Sequence, residues 1–396
     1  MAAPVMEAVE ALESHLHPTP SWELADHPLP SGREEVWRFS PLRALRGLLT
    51  DGGPTGENLE WVTDLPAGVS FDPISLAEAR ELAVEAPIDR VSALAAANAS
   101  YAARLSVPAG LELTDPIVVN GAGIAGSSVA EHLVITVGAH AKATIVLRYT
   151  GAATLADKTD LIVGDGAQVN FVSIQDWDAD AVHGGHHSVL VGRDAQVRTV
   201  TVSLGGKVVR LAETAKFGGP GGSLEQFGLY FVDAGQHIEH RLFVDHNAPH
   251  THSNVDYRGA LQGEGARAVW IGDVLIRKVA ENISTYESNK NLVLTDGCRA
   301  DSVPNLEIET GEIEGAGHSS TTGRFDDEQL FYLRSRGISE DEARRLVVHG
   351  FFADIIRRVG VPDVEARLLA AVEKELEIIV GNPVAVETDR SVGAAL

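Results

Sequence analysis

The sequence predicts a mainly β protein built as a parallel β-helix, a solenoid flanked by helical domains at both ends. Three observations carry that expectation. First, a short template recurs in Val137-Gly-Ala-His-Ala-Lys-Ala143, Val163-Gly-Asp-Gly-Ala-Gln-Val169, Val191-Gly-Arg-Asp-Ala-Gln-Val197 and Leu294-Thr-Asp-Gly-Cys-Arg-Ala300. Each copy is an aliphatic residue, a polar turn and a small residue leading into a β-rich run, and looser copies begin at Phe231 and Gln262. The copies start at 137, 163, 191, 231, 262 and 294, giving steps of 26, 28, 40, 31 and 32 residues. Periods in this range mean one supersecondary unit per repeat, burying its apolar face by stacking on the next. Second, the runs alternate apolar or β-branched residues with polar ones, as in Gln168-Val-Asn-Phe-Val-Ser-Ile174 and Arg198-Thr-Val-Thr-Val-Ser-Leu204. Third, no amphipathic helix separates the copies, so parallel strands here pair coil upon coil rather than through crossover helices. An antiparallel sandwich is the competing architecture, and the fixed turn template disfavours it.

Residues 1–110 read as a mostly helical domain. Pro18, Pro20, Pro28 and Pro30 separate the first helix from the rest of that domain. Ser75 caps a helix with Glu78 three residues on, and the Ala-rich stretch from Val91 to Leu105 reads as another. Trp37 and Phe39, in a polar-aromatic segment, are expected to pack on the adjoining solenoid. The solenoid spans residues 111–325. Gly205-Gly206 and Gly218-Gly-Pro-Gly-Gly222 read as an irregular loop that accounts for the 40-residue step, and neither is followed by the Lys-Ser or Lys-Thr of a phosphate loop. Residues 326–396 switch back to helix. Asp326-Asp-Glu-Gln329 starts one, Gly337 stops it, and Ser339-Glu-Asp-Glu342 starts a second carrying Leu346, Val347, Phe351, Phe352, Ile355 and Ile356. A third runs from Asp363 to Val380, and the tail after Gly381 reads as loose. So many apolar groups on short helices call for docking on the solenoid or a partner.

The chain of 396 residues is 44% hydrophobic, with a mean hydropathy of +0.01, enough for a sizeable core. Its net charge of −24, with no cluster of Lys or Arg, argues against nucleic acid and membrane-surface partners. Cys298 is the only cysteine, which excludes an intrachain disulfide and a cysteine-built metal site and suits a reducing cytoplasm. It is expected inside the core at the position that Ala167 and Ala195 take in sister repeats. The amino terminus lacks a basic region followed by an apolar stretch, and no run approaches the roughly 18 apolar residues of a membrane span. A cytoplasmic location is the expectation.

Histidine is concentrated at His237, His240, His246, His250 and His252, and again at His183, His186 and His187. On a strand, residues two apart share a face, so the first group is a candidate metal site, weighed against ordinary polar alternation. Asp176, Asp178 and Asp180 are candidates for the carboxylates of a β-helical polysaccharide lyase or hydrolase, weighed against solvated loop acids. No nucleophile elbow, Ser-His-Asp spacing or dinucleotide fingerprint is present.

Several blocks resemble the SufB/SufD family of iron–sulfur cluster assembly proteins, and its SufD branch in particular. They are Arg33-Glu-Glu-Val-Trp-Arg-Phe39, Asp245-His-Asn-Ala-Pro-His-Thr-His-Ser253 with Tyr257-Arg-Gly259, and Asn289-Lys-Asn-Leu-Val-Leu-Thr-Asp-Gly297. Ala300-Asp-Ser-Val-Pro-Asn-Leu-Glu-Ile308, Gly317-His318, Thr321-Thr-Gly323 and Leu330-Phe-Tyr-Leu-Arg-Ser-Arg-Gly337 come after them in order. The resemblance implies a right-handed parallel β-helix and a non-catalytic scaffold subunit. That subunit pairs with a SufB-like chain and docks a SufC-like ATPase through its C-terminal helices, here Phe331, Tyr332, Arg334, Arg336, Leu346, Phe351 and Phe352. It leaves pairing with a second copy of this chain open. A cysteine often found two positions before the histidine is Ala316 here, and the SufB-type cysteines are missing. The chain alone is therefore expected to hold no cofactor stably, with His318 lending one ligand to a transient iron–sulfur cluster at the partner interface.

Overall fold

The computed structural model of the chain describes residues 17–324 and 327–380. Ahead of the coil come α1 (Arg46–Leu49), β1 (Thr55–Glu57), β2 (Glu60–Asp64), β3 (Ser70–Ile74), α2 (Leu76–Leu82) and α3 (Arg90–Asn98). The coil opens with β4 (Ala102–Val107) and β5 (Ile117–Gly123). It continues through β6 (Ser128–Val137), β7 (Lys142–Gly151), β8 (Thr154–Val163), β9 (Gln168–Trp177), β10 (Val182–Val191) and β11 (Gln196–Gly205). The second half comprises β12 (Val208–Phe217), β13 (Ser223–Val232), β14 (His237–His246), β15 (His252–Leu261), β16 (Arg267–Ile276), β17 (Ser284–Val293), β18 (Arg299–Ile308) and β19 (Gly315–Arg324). Even-numbered strands from β4 to β18 stack as one parallel sheet and odd-numbered strands from β5 to β19 as a second, so the predicted parallel β-helix is present. Each coil contributes one strand to each sheet, and in-register stacking keeps inward positions inward from coil to coil.

The recurring template is the chemistry of a coil corner. Where an even strand passes to an odd one, the backbone enters the left-handed region at His140 (φ 57), Gly166 (φ 64), Asp194 (φ 53), Gly221 (φ 78), His250 (φ 57) and Asn282 (φ 55). Glycine, Asn, Asp and His occupy that region at the lowest steric cost. In the first three of these corners a buried alanine comes next, Ala141, Ala167 or Ala195, and its carbonyl accepts the N–H of Gln168, Gln196 or Ser223 on the next coil at 2.8–2.9 Å. The opposite corner uses the same geometry, with Gly235, Gly265 and Gly297 at positive φ ahead of Gln236, Ala266 and Cys298.

Two expectations change as a result. The template copies at 137, 163 and 191 lie at one corner, whereas those at 231, 262 and 294 lie at the other. The 40-residue step is therefore one coil and a half rather than a loop insertion, and the two Gly clusters are the tight corners on either side of β12. Cys298 is equivalent to Ala266, not to Ala167 and Ala195. All of these residues still pack on the core between the sheets, where Cys298 Sγ lies 3.4 Å from the Gly263 carbonyl oxygen.

Helix before the coil is short. Ser75 caps α2 by accepting the Glu78 N–H, as expected. The stretch predicted helical from Val91 to Leu105 is helical only in α3, capped by Asp89. Ala102–Val107 is instead a strand, because pairing with β6 and burial outweigh the helix preference of alanine. This segment covers the outer face of the even sheet. Trp37 packs with Leu48, Val91, Ala156 and Val208, and Phe39 with Val269 and Ile271, meeting the expectation for both. Arg210, almost wholly buried, lies over the Trp37 ring at 3.9 Å and donates to Asp89 at 2.7 Å.

At the amino-terminal end the parallel ladders finish against reversed strands, since β2 pairs antiparallel with β5 and β3 antiparallel with β4. Both strands are short, and β3 contains Pro73. At the other end β18 and β19, ten residues each, are hydrogen-bonded along one edge only among the described residues.

Beyond the coil lie α4 (Asp327–Ser335), α5 (Glu340–Arg358) and α6 (Pro362–Val380). Ser339 caps α5 by accepting the Glu342 N–H. The α5 and α6 pair docks on the outer face of the odd sheet, burying Phe352, Ile355, Ile356 and Val359 against Val172, Val200, Phe227 and Leu229. The predicted start at Phe325 and Asp326, the first sixteen residues and the tail after Val380 lie outside the described residues.

Candidate functional site

The space between the two sheets carries an unusual amount of polar chemistry. Near the amino-terminal end Asp157 accepts from His183 Nε2 at 2.6 Å and His187 Nε2 at 3.0 Å. Burial would raise this carboxyl, but the charge of His187 and the hydrogen bonds of both histidines hold it well below the usual carboxylate range. Glu131 sits one coil away in register with Asp157 and has no hydrogen-bond partner, so burial and then the Asp157 charge push its pKa well up. Further along, Glu213 accepts from Tyr257 Oη at 2.8 Å and Thr201 Oγ1 at 2.9 Å, with His240 Nδ1 at 3.3 Å. Tyr230 Oη donates to Asn291 at 2.6 Å and accepts from Asn289 at 2.9 Å. Glycines make room for the rings. Gly228 lies in register with Tyr257 and Gly259 with Tyr230, and a Cβ on Gly259 would fall 1.8 Å from Tyr230 Cε2.

The histidine groups do not converge. His237 pairs with Glu239 on the outer face, His240 points inward, and His246 is buried beside Thr251 and Ser253 with its pKa pushed down to about 4 by desolvation. His250 turns a corner, and His252 Nδ1 contacts Ser284 Oγ at 2.8 Å. In the second group His186 faces outward to Thr214, away from the pair on Asp157. Among the described residues no group of three or more His, Cys, Asp or Glu side chains is arranged to hold a metal ion. The acids proposed for saccharide chemistry also separate: Asp176 forms an ion pair with Arg148, while Asp178 and Asp180 stand in solvent at the next corner.

The carboxyl-terminal end of the coil is different. His318 lies on the inward face of β19, directly in register with Glu287 on β17, and is exposed because no further coil covers it. Ala316, two positions earlier, packs on the core. Glu287 is 1% exposed, and neither carboxylate oxygen has a hydrogen-bond partner. Its Oε1 reaches over Gly272 beside the Trp270 ring, whose Nε1 is also unpartnered. Desolvation, then the charge of Asp273, pushes the Glu287 carboxyl up to about 8. The alternation Thr285, Glu287, Asn289, Asn291 was the only trace of this residue in the sequence.

The C-terminal residues predicted to meet a partner divide into two sets. Phe331 is 74% exposed and Tyr332 55%, with Leu346 also outward. Arg336 stacks over Tyr332 at 4.5 Å, and Arg334 pairs with Glu340 at 3.2 Å. Phe351 is half-buried against Phe352, edge to face at 5.2 Å. Phe352 itself is fully buried on the odd sheet, which takes it out of a partner's reach.

Residues 118–351 match the family described as SUF system FeS cluster assembly, SufBD core domain. The chain is 48% identical over 368 residues to an iron–sulfur cluster assembly SufBD family protein of Mycobacterium tuberculosis, covering 90% of this chain and 92% of that one. A SufBD family protein of Mycobacterium leprae is 47% identical over 365 residues, covering 90% and 93%. The iron–sulfur cluster assembly protein SufD of Escherichia coli is 28% identical over 173 residues, 44% of this chain and 40% of its own length. No described helix is long and apolar enough to cross a membrane.

Proposed function

Because the chain belongs to the SufBD family of iron–sulfur cluster assembly proteins, we propose that it is a non-catalytic scaffold subunit of a SufB–SufC–SufD type complex. A SufB-like subunit pairs along the exposed edges of β18 and β19, and a SufC-like ATPase docks on α4 and α5. The nascent cluster is cargo, held between chains. The observation that carries this reading is the place of His318, an exposed imidazole facing inward on the last coil, where a second coil would meet the first. Neutral imidazole is a competent borderline ligand for iron, and one His can complete a set whose thiolates come from another chain. The exposed Phe331 and Tyr332 support the ATPase site, since aromatics usually anchor such interfaces. The scattered Asp176, Asp178 and Asp180 give the saccharide-enzyme alternative no paired acid and base.

Co-purification from the native cell tests the assembly: a SufB-like protein and a SufC-like ATPase in the eluate support it, and their absence overturns it. His318→Ala tests the site. The complex should assemble with ATPase bound yet retain less iron and sulfide after anaerobic reconstitution. Full cluster content in that variant would reduce His318 to a packing residue.

A further inference from the structure

We propose that Glu287 and His318 together form a divalent-cation site belonging to this chain alone, taking an ion such as Fe2+ through one carboxylate and one imidazole. The inference deepens the preceding reading, on which it rests for the role of His318, by adding a second ligand. Three features of the end coil point to it. The two residues are register partners on adjacent parallel strands and share the inward face, so their Cα atoms stand about 4.8 Å apart. Two ligand atoms each about 2.1 Å from a common ion lie about 3 Å apart, a separation that side-chain rotation supplies from that spacing. Next, the Glu287 carboxylate is almost wholly buried with both oxygens unpartnered, which is costly for a group with no counter-charge. Finally, Gly272 on the facing sheet leaves the space that the carboxylate enters, since a Cβ there would lie 2.8 Å from Oε1. Oxygen plus imidazole nitrogen is a hard-to-borderline donor pair, matched to first-row divalent ions rather than to copper(I) or a preformed sulfide-rich cluster. The exposed side of His318 leaves the remaining coordination positions to water or to ligands from a second chain.

The test uses the isolated full-length chain and Co2+ as an optical probe under anaerobic conditions, followed by Fe2+ calorimetry. Wild type, Glu287→Gln, His318→Ala and the double variant are compared, with far-UV circular dichroism confirming the fold of each. Each single variant should weaken the tightest site by about 10- to 100-fold, and the double variant should bind at least as weakly as either single. If Glu287→Gln fails to fold, Glu287→Asp replaces it with the same expected loss, because the shortened side chain withdraws the carboxylate. Wild-type affinity in either Glu287 variant overturns the proposal, as does binding that survives intact in the double variant. The cluster reading fails separately, through full iron and sulfide retention by His318→Ala in the assembled complex.

Discussion

Replacing Gly259 with alanine probes how tightly the polar interior is laced. The new Cβ would meet Tyr230 Cε2 at 1.8 Å and Cζ at 2.4 Å, roughly half of an ordinary ~3.5–4.0 Å carbon contact. The ring has little freedom to retreat, because its hydroxyl is held by Asn291 at 2.6 Å and Asn289 at 2.9 Å. Gly259 is not among the positive-φ residues, so the cost is steric rather than conformational. Overpacking of this kind costs about 1–3 kcal/mol, and displacing the phenol adds about 1 kcal/mol for each of its two hydrogen bonds. Gly259→Ala should therefore destabilise the coil by about 3–5 kcal/mol. Tyr230→Ala should cost a comparable amount through the cavity it leaves. In that background the alanine methyl enters free space, and its own cost should fall close to zero, a coupling of about 3–5 kcal/mol. Urea unfolding followed by far-UV circular dichroism, with hydrogen exchange to localise the loosened coil, measures all four corners of the cycle. Additive effects within about 0.5 kcal/mol would mean that the ring yields freely and the lacing is absent.

Two further outcomes are expected. Phe331→Asp combined with Tyr332→Asp should abolish ATPase capture without moving the melting temperature, whereas Phe352→Ala should lower stability by about 3–5 kcal/mol through loss of α5 docking; surface plasmon resonance and thermal denaturation separate the two. His246, neutral in the fold down to about pH 4, protonates near its ordinary value of 6.5 in the unfolded chain, so the unfolded state binds the extra proton between those limits and stability falls as pH is lowered through them. The loss should reach at most about 3 kcal/mol, and a pH series of urea midpoints in which His246→Gln shows the same slope as wild type would assign it to other groups.

The coil was legible because a corner makes two demands that few residues meet together, a left-handed backbone position and a small residue beneath the next coil. Its phase was not, since both corners of every coil make the same demands and the copies at 231 and 294 look like those at 163 and 191. The interior was hidden for a different reason. Polar residues at alternate positions ordinarily mark a solvent face, so nothing local in the sequence shows that Glu287, Asn289 and Asn291 on β17 point in. His318 was visible through its block, but its partner in register was not, because pairing between coils is a property of stacking and leaves no local mark. Phe351 and Phe352 are neighbours about 100° apart on a helix, so only the position of the odd sheet decides which one is buried.

The two ends of the coil also govern how many chains can join. Reversed strands and Pro73 make the amino-terminal end a poor template for further pairing, while β18 and β19 present ten-residue edges at the other end. A body with one end open to strand pairing and one end poorly suited to it does not readily polymerise end to end. Once two such edges meet, no edge of that kind is left over, and growth stops at a pair. The same asymmetry that leaves one end of the coil open to a neighbour thus works against its seeding a fibre.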